Sequence, residues 1–113
     1  ECSDVELEHL ARLAVERDLV VLADEAYFDI RYEGQSRSLA SLPGMAERTV
    51  ILYPFSKKFA MTGWRLGATV APKPVADVVA KLNVNDESCS NHFIQHGAIE
   101  GLTGDQSGPK KIL

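Results

Sequence analysis

The sequence predicts a layered α/β fold, and three observations carry that prediction. Short, continuous apolar runs alternate with segments of helical periodicity. Proline, glycine and polar clusters punctuate the boundaries between them. The charged residues of chemical interest fall at or just beyond strand ends, where ligands gather in α/β sheets.

The first element reads as a helix. Ser3 can cap it, with Glu6 three residues on completing a capping box. Leu7, Leu10, Ala11 and Ala14 then follow the i, i+3, i+4, i+7 spacing of one buried stripe, while Glu8, Arg12 and Glu16 face mostly outward. Leu19 to Ala23 is a short apolar run of the kind that forms a strand covered on both faces, as in a parallel sheet. The polar stretch from Ile30 to Arg48, with Gly34, Pro43 and Gly44, reads as a loop with room for one helical turn. Thr49 to Tyr53 is a second buried strand, and Leu66 to Ala71 a third, ended by Pro72-Lys73-Pro74. Pro74 suits the first turn of a helix carrying Val75, Val78, Val79 and Leu82. A polar linker from Asn83 to Asn91 leads to a last helix with Phe93, Ile94, Gly97, Ala98 and Leu102, which Gly101 and Gly104 help to end. Residues 104–113 show no periodicity and are expected to be a loose tail. There is no internal repeat and no low-complexity segment.

Length and composition bound the possibilities. The chain has 113 residues, 45% hydrophobic and 25% charged, which is ordinary usage for a single soluble globular domain. Net charge is −4, and the 12 Lys and Arg are scattered, which argues against nucleic acid as a partner. No apolar run reaches membrane-spanning length, and no signal layout opens the chain. Cys2 and Cys89 follow no metal or disulfide spacing, so a reduced, cytoplasmic setting is the expectation.

Three charged features stand at strand edges. Asp24 follows the first strand in Ala23-Asp24-Glu25-Ala26-Tyr27; Lys57 follows the second in Phe55-Ser56-Lys57-Lys58; Arg65 precedes the third in Gly63-Trp64-Arg65-Leu66-Gly67. Singly, each has a plain structural explanation: a turn-former, a solvated lysine pair, an arginine packed beside a tryptophan. Together they offer an amine, a carboxylate, a phenol and a guanidinium. An anionic, carbonyl-bearing nitrogen heterocycle would need that set. His92 and His96 stand at i, i+4, but no third ligand type has helpful spacing, so they read as a polar helix face and no metal is expected. Phe59, Met61 and Trp64 read as packing around the loop that bears Lys57.

Asp24-Glu25-Ala26-Tyr27, followed by Ser56-Lys57-Lys58-Phe59-Ala60-Met61-Thr62-Gly63-Trp64-Arg65-Leu66-Gly67, resembles the signature of class I/II aminotransferases. These are the fold-type-I pyridoxal phosphate enzymes related to aspartate aminotransferase. In that family the reactive lysine follows a small hydroxyl residue, and an arginine comes eight positions later, which selects Lys57 over Lys58. The resemblance reaches the helix of Gln95. It implies that the chain is part of the three-layer α/β/α large domain, with a mostly parallel sheet over residues 1–103, and that the small C-terminal domain is absent. It further implies pyridoxal 5′-phosphate as cofactor, an amino acid and a 2-oxo acid as substrates, and a homodimer in a longer protein of which this is a segment.

The implied roles follow from what each group can do. Lys57 would form a Schiff base with the cofactor aldehyde, then move a proton between Cα and the cofactor carbon. Asp24 would hold the pyridine nitrogen protonated, and Tyr27 would donate to the phenolate oxygen. Arg65 would clamp the phosphate, with Ser56 as a second contact. One position departs from the pattern: the family usually has Ser or Gly three residues before the lysine, and here it is Pro54. Proline offers neither hydroxyl nor N–H, which leaves phosphate binding weaker or completed elsewhere. Two alternatives stay open: a lyase or decarboxylase on the same scaffold, since the cofactor does the common chemistry, or a non-catalytic aminotransferase-like effector domain of a transcription regulator.

Overall fold

The computed structural model describes residues 2–112; Glu1 and Leu113, the outermost residues of the expected domain and tail, lie outside the described residues. The order is α1 (Asp4–Glu16), β1 (Val21–Asp24), a 3-10 turn (Leu39–Ser41), β2 (Thr49–Pro54), a second 3-10 turn (Thr62–Trp64), β3 (Gly67–Val70), α2 (Lys73–Asp86), α3 (His92–Thr103) and α4 (Ser107–Ile112).

The start of α1 follows from its first four residues. The Glu6 amide donates to the Ser3 hydroxyl at 3.3 Å, and the Ser3 amide donates back to the Glu6 carboxylate at 2.7 Å. Two otherwise orphaned donors are thereby satisfied. Ala11 and Ala14 are buried, as the stripe requires, but Leu10 remains 43% exposed. Leu10 lies beside Leu22 at an open cavity rather than in the packed cluster.

The three strands form one mixed sheet in the order β1-β2-β3. β1 pairs parallel with β2, with Asp24 opposite Leu52; β2 pairs antiparallel with β3, with Pro54 opposite Gly67. Parallel pairing of the first two strands agrees with the apolar runs, whereas burial on both faces does not. Leu22 is 66% exposed and β3 is exposed throughout. β1 and β3 are the edges of this sheet, and α1 with the turn at Leu39 packs beside Val21.

Two separate apolar clusters hold the elements. Ala11, Ala14, Leu39, Leu42 and the wholly buried Met45 join α1 to the loop between β1 and β2. Phe55, Met61, Leu66 and Ala98 join the segment after β2 to α3. The radius of gyration is 15.6 Å, against about 13 Å for a compact domain of this length. Accessible area is 8142 Å², against roughly 6100 Å² for a folded monomer of this mass. Large hydrophobic side chains stand exposed, among them Leu22, Val70, Val78 and Leu82. Surface of this kind is normally covered by further protein.

Two boundaries differ from the sequence expectations, the end of α2 and the tail. α2 runs on to Asp86 through Asn83-Val84-Asn85, because the Asn85 side chain donates to the Lys81 carbonyl at 2.9 Å and the polar residues face solvent. Gly104 is the C-cap of α3, as expected, and Gly101 lies in its last turn. There a Cβ would stand 3.5 Å from the Phe59 ring, so a bare backbone lets that ring approach the helix. The tail, expected to be loose, contains α4; Asp105 precedes this helix and accepts from the Ser107 amide at 2.9 Å. Local capping suffices there without an apolar stripe.

Candidate functional site

Parallel pairing brings the carboxyl ends of β1 and β2 to one edge of the sheet. Asp24 is the last residue of β1, and its carboxylate accepts from the Ala26 amide at 3.1 Å. That bond folds the chain into the turn that presents Tyr27. The Glu25 amide donates to the Leu52 carbonyl at 3.0 Å, so the turn is laced to β2.

Lys57 stands three residues past the end of β2, in a turn closed by the Phe59 amide on the Phe55 carbonyl and the Ala60 amide on the Lys57 carbonyl, both at 3.3 Å. Its Nζ lies 5.5 Å from the centre of the Tyr27 ring. An amine and a phenol from segments thirty residues apart in sequence thus meet at the sheet edge. Lys57 lines a cavity of about 400 Å³, whereas Asp24 and Tyr27 line one of about 540 Å³; the Lys57–Tyr27 contact joins them.

Ser56 and Arg65 belong to neither cavity. They are tied to each other through Thr62, whose hydroxyl donates to the Ser56 carbonyl at 3.2 Å and whose carbonyl accepts from Arg65 Nη1 at 3.1 Å. Ala60 and Arg65 both adopt left-handed backbone, at φ 52° and 53°. Neither is glycine, so the segment between them is held by its surroundings in a conformation it would not choose alone. Trp64 packs on α3 beside Gly97, where a Cβ would come within 3.2 Å of its ring, and Phe59 packs beside Gly101. Met61 is buried and Phe59 half-buried, as packing around the lysine loop requires, but Trp64 is 45% exposed.

Sequence reasoning passed over two residues at this site, Asp29 and Tyr53. Asp29 accepts a hydrogen bond from the Tyr53 hydroxyl and pairs with Lys58 Nζ at 3.2 Å. Burial, then the hydrogen bond to Asp29 and the nearby Asp29 and Glu25 charges, push the Tyr53 phenol well above its ordinary range. No spacing in the sequence pairs Asp29 with Tyr53; the turn after β1, tied to β2 through Glu25 and Leu52, brings them together. His92 and His96 place their Nε2 atoms 3.3 Å apart on the exposed face of α3, and no cluster of three or more metal-binding side chains occurs among the described residues. Nor is any helix among them long and apolar enough to cross a membrane.

Comparison with known proteins shows the family. Residues 2–110 match the family described as aminotransferase class I and II. The chain is 42% identical over 110 residues to a putative aminotransferase, YugH, of Bacillus subtilis, covering 97% of this chain and 28% of that protein. It is 44% identical over 103 residues to aromatic-amino-acid aminotransferase 2 of Thermococcus litoralis, covering 90% and 26% respectively. The crystal structure of an aromatic aminotransferase from Pyrococcus horikoshii superposes with a TM-score of 0.92 at 37% identity, over 98% of this chain and 31% of that one. The chain therefore spans between a quarter and a third of the length of these relatives. Its mixed sheet with flanking helices is part of the large α/β domain of fold-type-I aminotransferases. On the sequence motif, the sheet-edge geometry and these matches together, the chain belongs to the class I and II aminotransferase family.

Proposed function

We propose that this chain is the cofactor-attachment segment of a pyridoxal-phosphate-dependent aminotransferase, which moves an amino group between an amino acid and a 2-oxo acid. The observation that carries the reading is the meeting of the Lys57 amine and the Tyr27 phenol at the sheet edge that also bears Asp24. The donor set fits the cofactor: an amine for its aldehyde, a carboxylate for its ring nitrogen, a phenol for its phenolate oxygen, and a guanidinium with a nearby hydroxyl for its phosphate. Proline at position 54 ends β2 without a hydroxyl or an N–H on offer, which leaves the phosphate to Arg65, Ser56 and groups elsewhere.

Pyridoxal phosphate, when bound, supplies an aldehyde for covalent attachment and a ring that takes up the electron pair released at the substrate Cα. Everything else falls to the protein. Lys57 would hold the cofactor through its Nζ and would move a proton at that same atom. Asp24, anchored by the Ala26 amide, would hold the cofactor's ring nitrogen. Tyr27 sits against Lys57, and its hydroxyl would donate to the cofactor's phenolate oxygen. Arg65 leaves its turn in left-handed backbone, with one Nη anchored on Thr62 and the rest of its fork available to phosphate oxygens.

Residues 1–103 then form part of the cofactor-binding large domain. The exposed apolar residues of β1, β3 and α2 support burial against the remainder of the protein and a homodimeric assembly. Exposed free thiols at Cys2 and Cys89 support a reducing, cytoplasmic setting. The test uses the full-length protein loaded with pyridoxal phosphate. Borohydride reduction and peptide mapping should place the label on Lys57, and Lys57→Ala should abolish the absorbance of the lysine-bound cofactor. A band that survives that substitution overturns the assignment. Product analysis with a panel of amino acids, with and without 2-oxoglutarate, should show amino transfer rather than elimination or decarboxylation.

A further inference from the structure

Two lysines stand side by side at the attachment turn, and only one can serve as the attachment point. The structure sends them to different partners. Lys57 Nζ lies over the Tyr27 ring, while Lys58 Nζ lies 3.2 Å from Asp29 and 5.2 Å from the centre of the Phe59 ring. The Lys58 and Asp29 side chains are 24% and 30% exposed, so solvent screens this pair less than an ordinary surface pair.

Resting on the function proposed above, we propose that Asp29 is a positioning residue for Lys57: its carboxylate holds Lys58 and neutralises that lysine's charge at the site. The carboxylate is itself fixed from two sides. One oxygen faces Lys58 and the other accepts from the Tyr53 hydroxyl, whose ring packs edge-on against the buried Phe55. Because the Tyr53 phenol is pushed upward, it remains a neutral donor through the whole range in which such an enzyme would work.

The charged and titratable groups facing Lys57 come from several segments. Tyr27 lies against it; Lys58, Asp29, Tyr32 and Lys110 share its cavity; Asp24 stands at the adjoining strand end. Glu25 faces the Tyr53–Asp29 contact. Within this set Lys58 is the cation bonded next to Lys57, and Asp29 is its partner. A bare cation there would disfavour the protonated form of the cofactor-bearing nitrogen; a bare carboxylate would favour it.

That asymmetry gives a test with opposite signs. In the full-length, cofactor-loaded protein, the absorbance of the lysine-bound cofactor is followed against pH in wild type, Asp29→Asn, Lys58→Met and the double variant. Asp29→Asn should lower the midpoint by about half a unit, and Lys58→Met should raise it by a similar amount. The double variant should return to within about 0.2 unit of wild type, and the single shifts should shrink as salt is added. A purely structural clamp would move thermal stability in both single variants without opposite spectral shifts. Single variants that both titrate like wild type, or that shift in one direction, overturn the proposal while leaving Lys57 as the attachment point. Lys58→Met keeps the test decisive should Asp29→Asn fold poorly. A wild-type protein with no label at Lys57 after borohydride reduction overturns both readings together.

Discussion

Replacing Phe55 by alanine probes how the structure holds the turn that carries Lys57. The residue is 4% exposed, two positions before Lys57, and packs with Met61, Leu66 and Ala98. Its ring stacks on Phe59 at 5.5 Å between centroids and meets Tyr53 edge-on at 5.9 Å. Truncating a buried phenylalanine costs about 3–5 kcal/mol through lost transfer energy and the cavity left behind. Because the two apolar clusters share no residue, that cost should fall on the cluster that joins the segment after β2 to α3. Hydrogen exchange with mass spectrometry on the full-length protein can read it locally. Peptides covering residues 55–66 and 94–102 should exchange roughly a hundredfold to a thousandfold faster, since each ~1.4 kcal/mol is tenfold in an opening constant. Peptides of α1 should change little. Phe55→Leu, which keeps most of the volume, should cost under about 1.5 kcal/mol, or roughly tenfold. Equal acceleration in α1 and α3, or less than about threefold in α3, would refute the two-cluster account.

Other perturbations give equally definite expectations. Tyr53 has its phenol raised above the unfolded-state value of 10.0. It therefore contributes stability that is fully present below about pH 10 and lost as pH rises toward its folded value, because the folded state keeps a proton the unfolded chain releases. Thermal midpoints measured between about pH 8 and 11 should fall in wild type and fall less steeply in Tyr53→Phe. Glu6 is held below its ordinary range by hydrogen bonds from the Ser3 amide and hydroxyl. Its contribution is thus present above the unfolded value of 4.5 and lost as pH falls. Ser3→Ala removes the hydroxyl and keeps the amide, so it should lessen that acid dependence without abolishing it and speed exchange in the first turn of α1 by about fivefold. Gly97→Val should push the Trp64 ring off α3, because even a Cβ would stand 3.2 Å from it. Overpacking of that kind costs about 1–3 kcal/mol, and the displaced turn should loosen Arg65, measured as faster cofactor release on dilution. Unchanged release with an intact fold would separate Trp64 packing from the phosphate contact.

Much of the candidate site was legible in the sequence because its parts are local. The Ser56, Lys57 and Arg65 spacing lies within ten residues, and the capping box at Ser3 is set by side chains one helical turn apart. Strand cores announced themselves as apolar runs, and the parallel pairing of β1 with β2 followed from them. What escaped was everything fixed across the chain. Asp29 and Tyr53 look like ordinary polar residues until the turn after β1 folds one beside the other. Gly101 reads as a residue near a helix end, and only the fold packs Phe59 against it. Leu10 and Leu22 read as core, yet burial depends on what covers a face, and nothing among the described residues covers theirs. The sequence by itself determined the family motif and the local turns and caps, because covalent spacing and local hydrogen bonds are written along the chain. Tertiary structure alone decided which lysine meets Tyr27 and which is held by Asp29, because that choice depends on charges brought together by the sheet.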